Sequence, residues 1–80
     1  MISAVLVVTQ PEHLDAVGCA IDAYEWARLH HVEPERGRMI ATIEASTTDE
    51  ASSRLLELRG LAHVLLAEMV EHYTETEPGS

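Results

Sequence analysis

Residues 2–8, Ile-Ser-Ala-Val-Leu-Val-Val, form a nearly uninterrupted aliphatic run, rich in valine and only seven residues long. So short and apolar a run fits a central strand covered on both faces better than a helix. A chain of 80 residues buries only about 60% of the surface its unfolded form exposes, so it builds one core and no second one. Architectures that need two layers of many strands are excluded. The run is too short to cross a bilayer, lacks a positive flank, and ends at Thr9-Gln10-Pro11 without a small-residue cleavage pattern. It is therefore expected to stay in the mature protein, and the chain to stay in the cytoplasm.

The rest of the chain supplies partners for that strand. Pro11 suits a first helical turn, Thr9 and Glu12 have capping-box spacing, and Leu14, Val17 and Ile21 give an apolar stripe, predicting a helix over about 11–22. Gly18 within the stripe allows close approach to a sheet. Tyr24 to Glu33 nearly alternates, Pro34-Glu35-Arg36-Gly37 reads as a turn, and Arg38 to Ala45 resumes as a strand, completing a hairpin. Thr47 and Glu50 form a second capping box. Ala51, Leu55 and Leu58 form a stripe, Glu50 and Arg54 an i,i+4 pair, and Gly60 a stop, predicting a helix over about 48–59. The segment from Val64 to Tyr73 contains good helix formers, but its alternation of Leu65, Ala67 and Met69 with Leu66, Glu68 and Val70 favours a strand.

The order strand, helix, strand, strand, helix, strand predicts an α+β, ferredoxin-like split βαβ domain over residues 1–73. Right-handed crossovers then put both helices on one face of a four-stranded antiparallel sheet with spatial order four, one, three, two. Residues 74–80, polar and acidic with nothing to bury, are expected to be a disordered tail. In the third strand Met39, Ala41, Ile43 and Ala45 should face the core. The open face should carry Trp26, Arg28 and His30, then Ile40, Thr42 and Glu44, then Leu66, Glu68 and Val70. Either Ser3, Val5 and Val7 or Ala4, Leu6 and Val8 joins them from the first strand.

Charge narrows the choice of partner. Five arginines, no lysine and 14 carboxylates leave a net charge of -9, which repels nucleic acid and anionic lipid and steers a cationic peptide toward the chain. His30 and His31, as strand neighbours, should point to opposite faces, and His13, His63 and His72 lack ligand spacing, so no metal site is expected. The single cysteine, Cys19, reads as a small packing residue, a free thiol in a reducing compartment. Trp26 either lies on the open face or covers one end of the core. Glu44 and Glu68 read as solubilising charges or as receivers of arginine. No pocket or oxyanion motif accompanies them, so an enzyme is not expected.

Several stretches, in this order and spacing, resemble the NapD family, small cytoplasmic chaperones of the periplasmic nitrate reductase. They are Ile2-Ser3-Ala4-Val5-Leu6-Val7-Val8-Thr9-Gln10-Pro11-Glu12, Glu25 at the start of the second strand, Gly37 ahead of the strand ending Glu44-Ala45, and Val64-Leu65-Leu66-Ala67-Glu68-Met69-Val70-Glu71-His72-Tyr73. The sequence departs from the family pattern in having Asp22-Ala23 where a Pro-Gly pair often stands, and no serine in the fourth strand. The resemblance implies a ferredoxin-like chaperone that binds the twin-arginine signal peptide of the catalytic subunit. Such binding delays export through the Tat pathway until the molybdenum cofactor and iron-sulfur cluster are inserted, and the chaperone itself needs no cofactor. On that reading a helical peptide lays its apolar side on Ile40, Leu66 and Val70 and its arginines on Glu44 and Glu68, with Trp26, Arg28 and Thr42 completing the surface. The alternative is a small regulatory or oligomerising ferredoxin-like domain whose open face pairs with another copy.

Overall fold

The computed structural model describes residues 1–73, with side chains described through Val70; the tail expected over 74–80 lies outside the described residues. Strand β1 (Ile2–Thr9) leads through a 3-10 turn (Pro11–His13) into helix α1 (Leu14–Asp22). Strands β2 (Ala27–Glu33) and β3 (Arg38–Glu44) form the hairpin, and helix α2 (Thr48–Arg59) returns the chain to strand β4 (Val64–Tyr73). The sheet order is β2-β3-β1-β4 with every neighbouring pair antiparallel, the ferredoxin-like topology that the element order predicts.

Alternation decides which side of the sheet is wet. Ser3, Val5, Val7 and Thr9 of β1 are buried while Ile2, Ala4, Leu6 and Val8 are half-buried, so β1 is central in the sheet but covered on one face only. The register explains the choice: Val5 and Val7 lie opposite Ala41 and Met39, the residues β3 turns inward. Together with Ile43, Ala67, and Leu14, Val17, Ile21, Leu55 and Leu58 from the helices they make the core. Leu58 is fully buried, a burial that contributes about 1.5–3 kcal/mol.

Local signals in the sequence are realised unevenly. At α2, the Thr47 hydroxyl accepts the Glu50 N–H at 3.1 Å, and the Glu50 carboxylate reaches back to the Ser46 N–H at 2.7 Å, one residue before the usual capping-box partner. No such box starts α1: Thr9 stays in β1, buried, its N–H held by the Gly37 carbonyl at 2.7 Å. That bond brings the β2–β3 turn onto the end of β1, and Gly37 has φ +65, so a Cβ there would stand 2.0 Å from the Thr9 oxygen. Gly18 permits the close approach of α1 to β2, its Cβ position lying 3.3 Å from Leu29 Cδ1. Gly60 ends α2 with ordinary φ -83; the left-handed residue of the connection is His63, φ 72, whose ring stacks on His13 at 3.7 Å.

Both outer strands depart from regular pairing. In β2 the register shifts between Leu29 and His31, leaving His30 as an extra residue. In β4 shifts leave Leu65 and Val70 extra. Leu65, expected to face the core beside Ala67 and Met69, is instead 66% exposed, because the bulge turns it out of the alternation. The Arg59 guanidinium of α2 donates to the Ala67 carbonyl at 2.8 Å.

Candidate functional site

The open face reads as rows across the sheet, with strands about 4.8 Å apart. Ile40 lies between Leu6 on one side and His31 on the other, and Glu68 lies beyond Leu6. The next row toward the Gly37 turn holds Leu66, Val8, Arg38 and Glu33; the one below holds Ala4, Thr42 and Arg28. Ile2, Ala4, Leu6, Val8, Ile40 and Leu66 thus form a continuous aliphatic strip centred on β1. Of the two sets of β1 residues the sequence left open, Ala4, Leu6 and Val8 belong here.

Around the strip the polar groups differ by flank. On the β2 side, His30 Nε2 shares a 2.8 Å hydrogen bond with the Thr42 hydroxyl, and Arg38 Nε donates to Glu33 at 3.0 Å. On the β4 side Glu68 is exposed and without an ionic partner among the described residues. Arg28, exposed opposite Thr42, is likewise unpaired among them. Glu44 is exposed at the far end of β3, opposite Ile2.

Most residues named from the sequence come together on this face, with corrections. Arg28, Ile40, Thr42, Glu44, Leu66 and Glu68 lie on it; Val70 is 52% exposed at the bulge. Trp26 does not: it precedes β2, in a turn in which the Ala27 N–H reaches the Tyr24 carbonyl at 3.4 Å, and its own carbonyl accepts the Glu44 N–H at 2.8 Å to close the hairpin's open end. Its ring, half-buried against the core, stacks on Tyr24 at 4.3 Å and lies under Arg54 at 5.3 Å. Trp26 therefore lines a cleft of about 400 Å³ at the end of the sheet with Met1, Glu25, Glu44, Glu50 and Arg54. The Arg54 guanidinium spans that cleft, donating to the Glu44 carbonyl and lying 3.5 Å from Glu50.

Two further expectations change. His30 and His31 do not point to opposite faces, because the bulge turns both to the open side: His30 meets Thr42, and His31 pairs across from Ile40, 3.9 Å from Glu33. No group of three or more His, Cys, Asp or Glu among the described residues is placed to hold a metal ion. Cys19, expected to pack, is exposed on α1 beside Leu14, Leu29 and Val32, as the helix turns only Leu14, Val17, Gly18 and Ile21 inward. Glu44 and Glu68 lie two strands and four residues apart, on the order of 16 Å, too far to share a proton between them.

Sequence reasoning missed His31 and Leu65, since a bulge is set by pairing across strands and has no local signature. The β1 face likewise follows from its register with β3, and a slip of one residue would have exchanged the two sets. No helix of the described residues is long and apolar enough to cross a membrane.

A family model described as NapD protein matches residues 1–76. Among solved structures, the chain is similar to the solution structure of the E. coli Tat proofreading chaperone protein NapD, at 17% identity and a TM-score of 0.84, covering 98% of this chain and 82% of that one. A search of curated proteins finds no match.

Proposed function

The chain belongs to the NapD family, and from that premise we propose that it is a Tat proofreading chaperone for a periplasmic nitrate reductase. It acts in the cytoplasm, binds the twin-arginine signal peptide of the catalytic subunit on the open sheet face, and delays export until the cofactors of that subunit are in place. It does so by occupying the peptide rather than by catalysis, and needs no cofactor of its own. The observation that carries this reading is the aliphatic strip of Leu6, Val8, Ile40 and Leu66 with the unpaired Glu68 at its side. An amphipathic helix with an apolar side and arginines matches both features at once, the apolar area by burial and the arginine by a charge-assisted hydrogen bond. Pairing of the same face with a second copy would bring two chains of charge -9 together, against the self-repulsion such a charge creates.

The test is a titration of the isotope-labelled protein with a synthetic twin-arginine signal peptide, followed by amide shifts. The expected result is shifts at Leu6, Val8, Ile40, Leu66 and Glu68. Shifts confined to α1 and α2, or a dimer that forms with rising concentration and ignores the peptide, would reject the reading.

A further inference from the structure

Three charges on the open face, Glu68, Arg28 and Glu44, have no ionic partner among the described residues, and Glu68 and Arg28 stand on opposite outer strands. Glu68 is on outer strand β4, in the row of Leu6; Arg28 is on outer strand β2, in the row of Ala4. Three strand spacings and one same-face step separate them, roughly 16 Å. Between them lie Leu6, Ala4, Ile40 and Thr42. Arg38 is paired with Glu33 at 3.0 Å, and the Glu44 carboxylate sits one strand and one same-face step from Arg28, about 8 Å away, which lowers the net charge of that flank without pairing either group. The β4 flank is thus acidic and the β2 flank close to neutral, with a cation at its rim.

We infer that the face is directional, holding a bound signal peptide with its arginine-bearing amino end over β4 and its carboxyl end over β2. This rests on the open-face reading above and adds the polarity. A helix spans roughly 16 Å with about 11 residues, so one short amphipathic helix reaches from Glu68 to Arg28. Two independent terms favour the same direction. The arginines gain at Glu68 what they would lose against Arg28, and the helix dipole places its positive amino end toward the carboxylate and its negative carboxyl end toward the guanidinium. Reversal would set arginines against Arg28 and leave Glu68 unanswered. Arg28 is in this account a specificity residue, acting by exclusion.

The experiment uses the full chain and two nitroxide-labelled versions of one synthetic twin-arginine signal peptide, tagged at the amino or at the carboxyl end. The amino-end label should broaden amides of Leu66 to Met69 and spare Arg28 to Glu33, and the carboxyl-end label should do the reverse. In Arg28→Glu the amino-end label should broaden both flanks, with affinity changed by no more than roughly fivefold, the scale of an exposed charge pair. Equal broadening of both flanks in the unsubstituted protein, or amino-end broadening centred on β2 or Glu44, overturns the polarity while leaving the open face as the docking surface. No amide shift with the unlabelled peptide removes the docking surface itself, and the polarity with it.

Discussion

Gly37 is the position where one atom matters most. Its left-handed backbone and the Thr9 oxygen 2.0 Å from any Cβ leave no room for a side chain. Gly37→Ala should lower stability by about 1–3 kcal/mol from backbone strain alone, more once β1 is pushed aside, read as a lower urea midpoint. At the docking face, Glu68→Lys should weaken twin-arginine peptide binding by about 1–2 kcal/mol, between an exposed ion pair and a charge-assisted hydrogen bond, with the urea midpoint unchanged. Calorimetric titration of Glu68→Lys against a peptide whose arginines are glutamines closes a double-mutant cycle. The losses should be less than additive if the groups touch, and strict additivity would place the arginines at Glu44 instead. The alternation of β3 revealed Ile40 and Thr42, and that of β4 revealed Leu66 and Glu68, because a period of two needs no knowledge of partners. Of the two roles open to Trp26, covering the end of the core is the one realised; its place on the open face fails because hydropathy cannot tell a strand's first residue from the turn before it.

Among the elements, α2 separates packing from propensity. Leu58 is fully buried and Leu56 is 61% exposed on the same helix. Leu58→Ala should cost about 2–5 kcal/mol, and Leu56→Ala should stay within about 0.5 kcal/mol; equal shifts of the urea midpoint would mean that the helix is rotated from its described setting. The stripe and the Thr47 cap of α2 were legible because i, i+3 and i+4 relations lie within one segment. The expected Thr9 cap had the same spacing and failed, since pairing with Val64 of β4 and the bond to Gly37 kept that residue in the sheet. The bulges at His30, Leu65 and Val70 were illegible for the same reason: they record how two strands line up over their whole length.

For the whole molecule the order of elements carried the topology, and the charge of -9 pointed to a basic partner before any residue was assigned to a face. Peptide affinity should therefore fall as salt rises, because screening weakens the exposed part of the attraction. Affinity constant from low to high salt would confine recognition to the aliphatic strip. A protein that keeps such a strip in water also carries two outer strands whose unpaired backbone invites other chains to add on, the usual seed of aggregation. Bulges interrupt both rims, and the Arg59 guanidinium occupies the Ala67 carbonyl on one of them, so a growing cross-β stack finds no long straight template. Arg59→Ala should leave the monomer folded but shorten the lag of thioflavin-positive aggregation, and an unchanged lag would assign that protection to the bulges alone. By this account the molecule can offer greasy surface to a client and still stay dispersed, because stickiness resides on its flat side and its rims are spoiled for polymerisation.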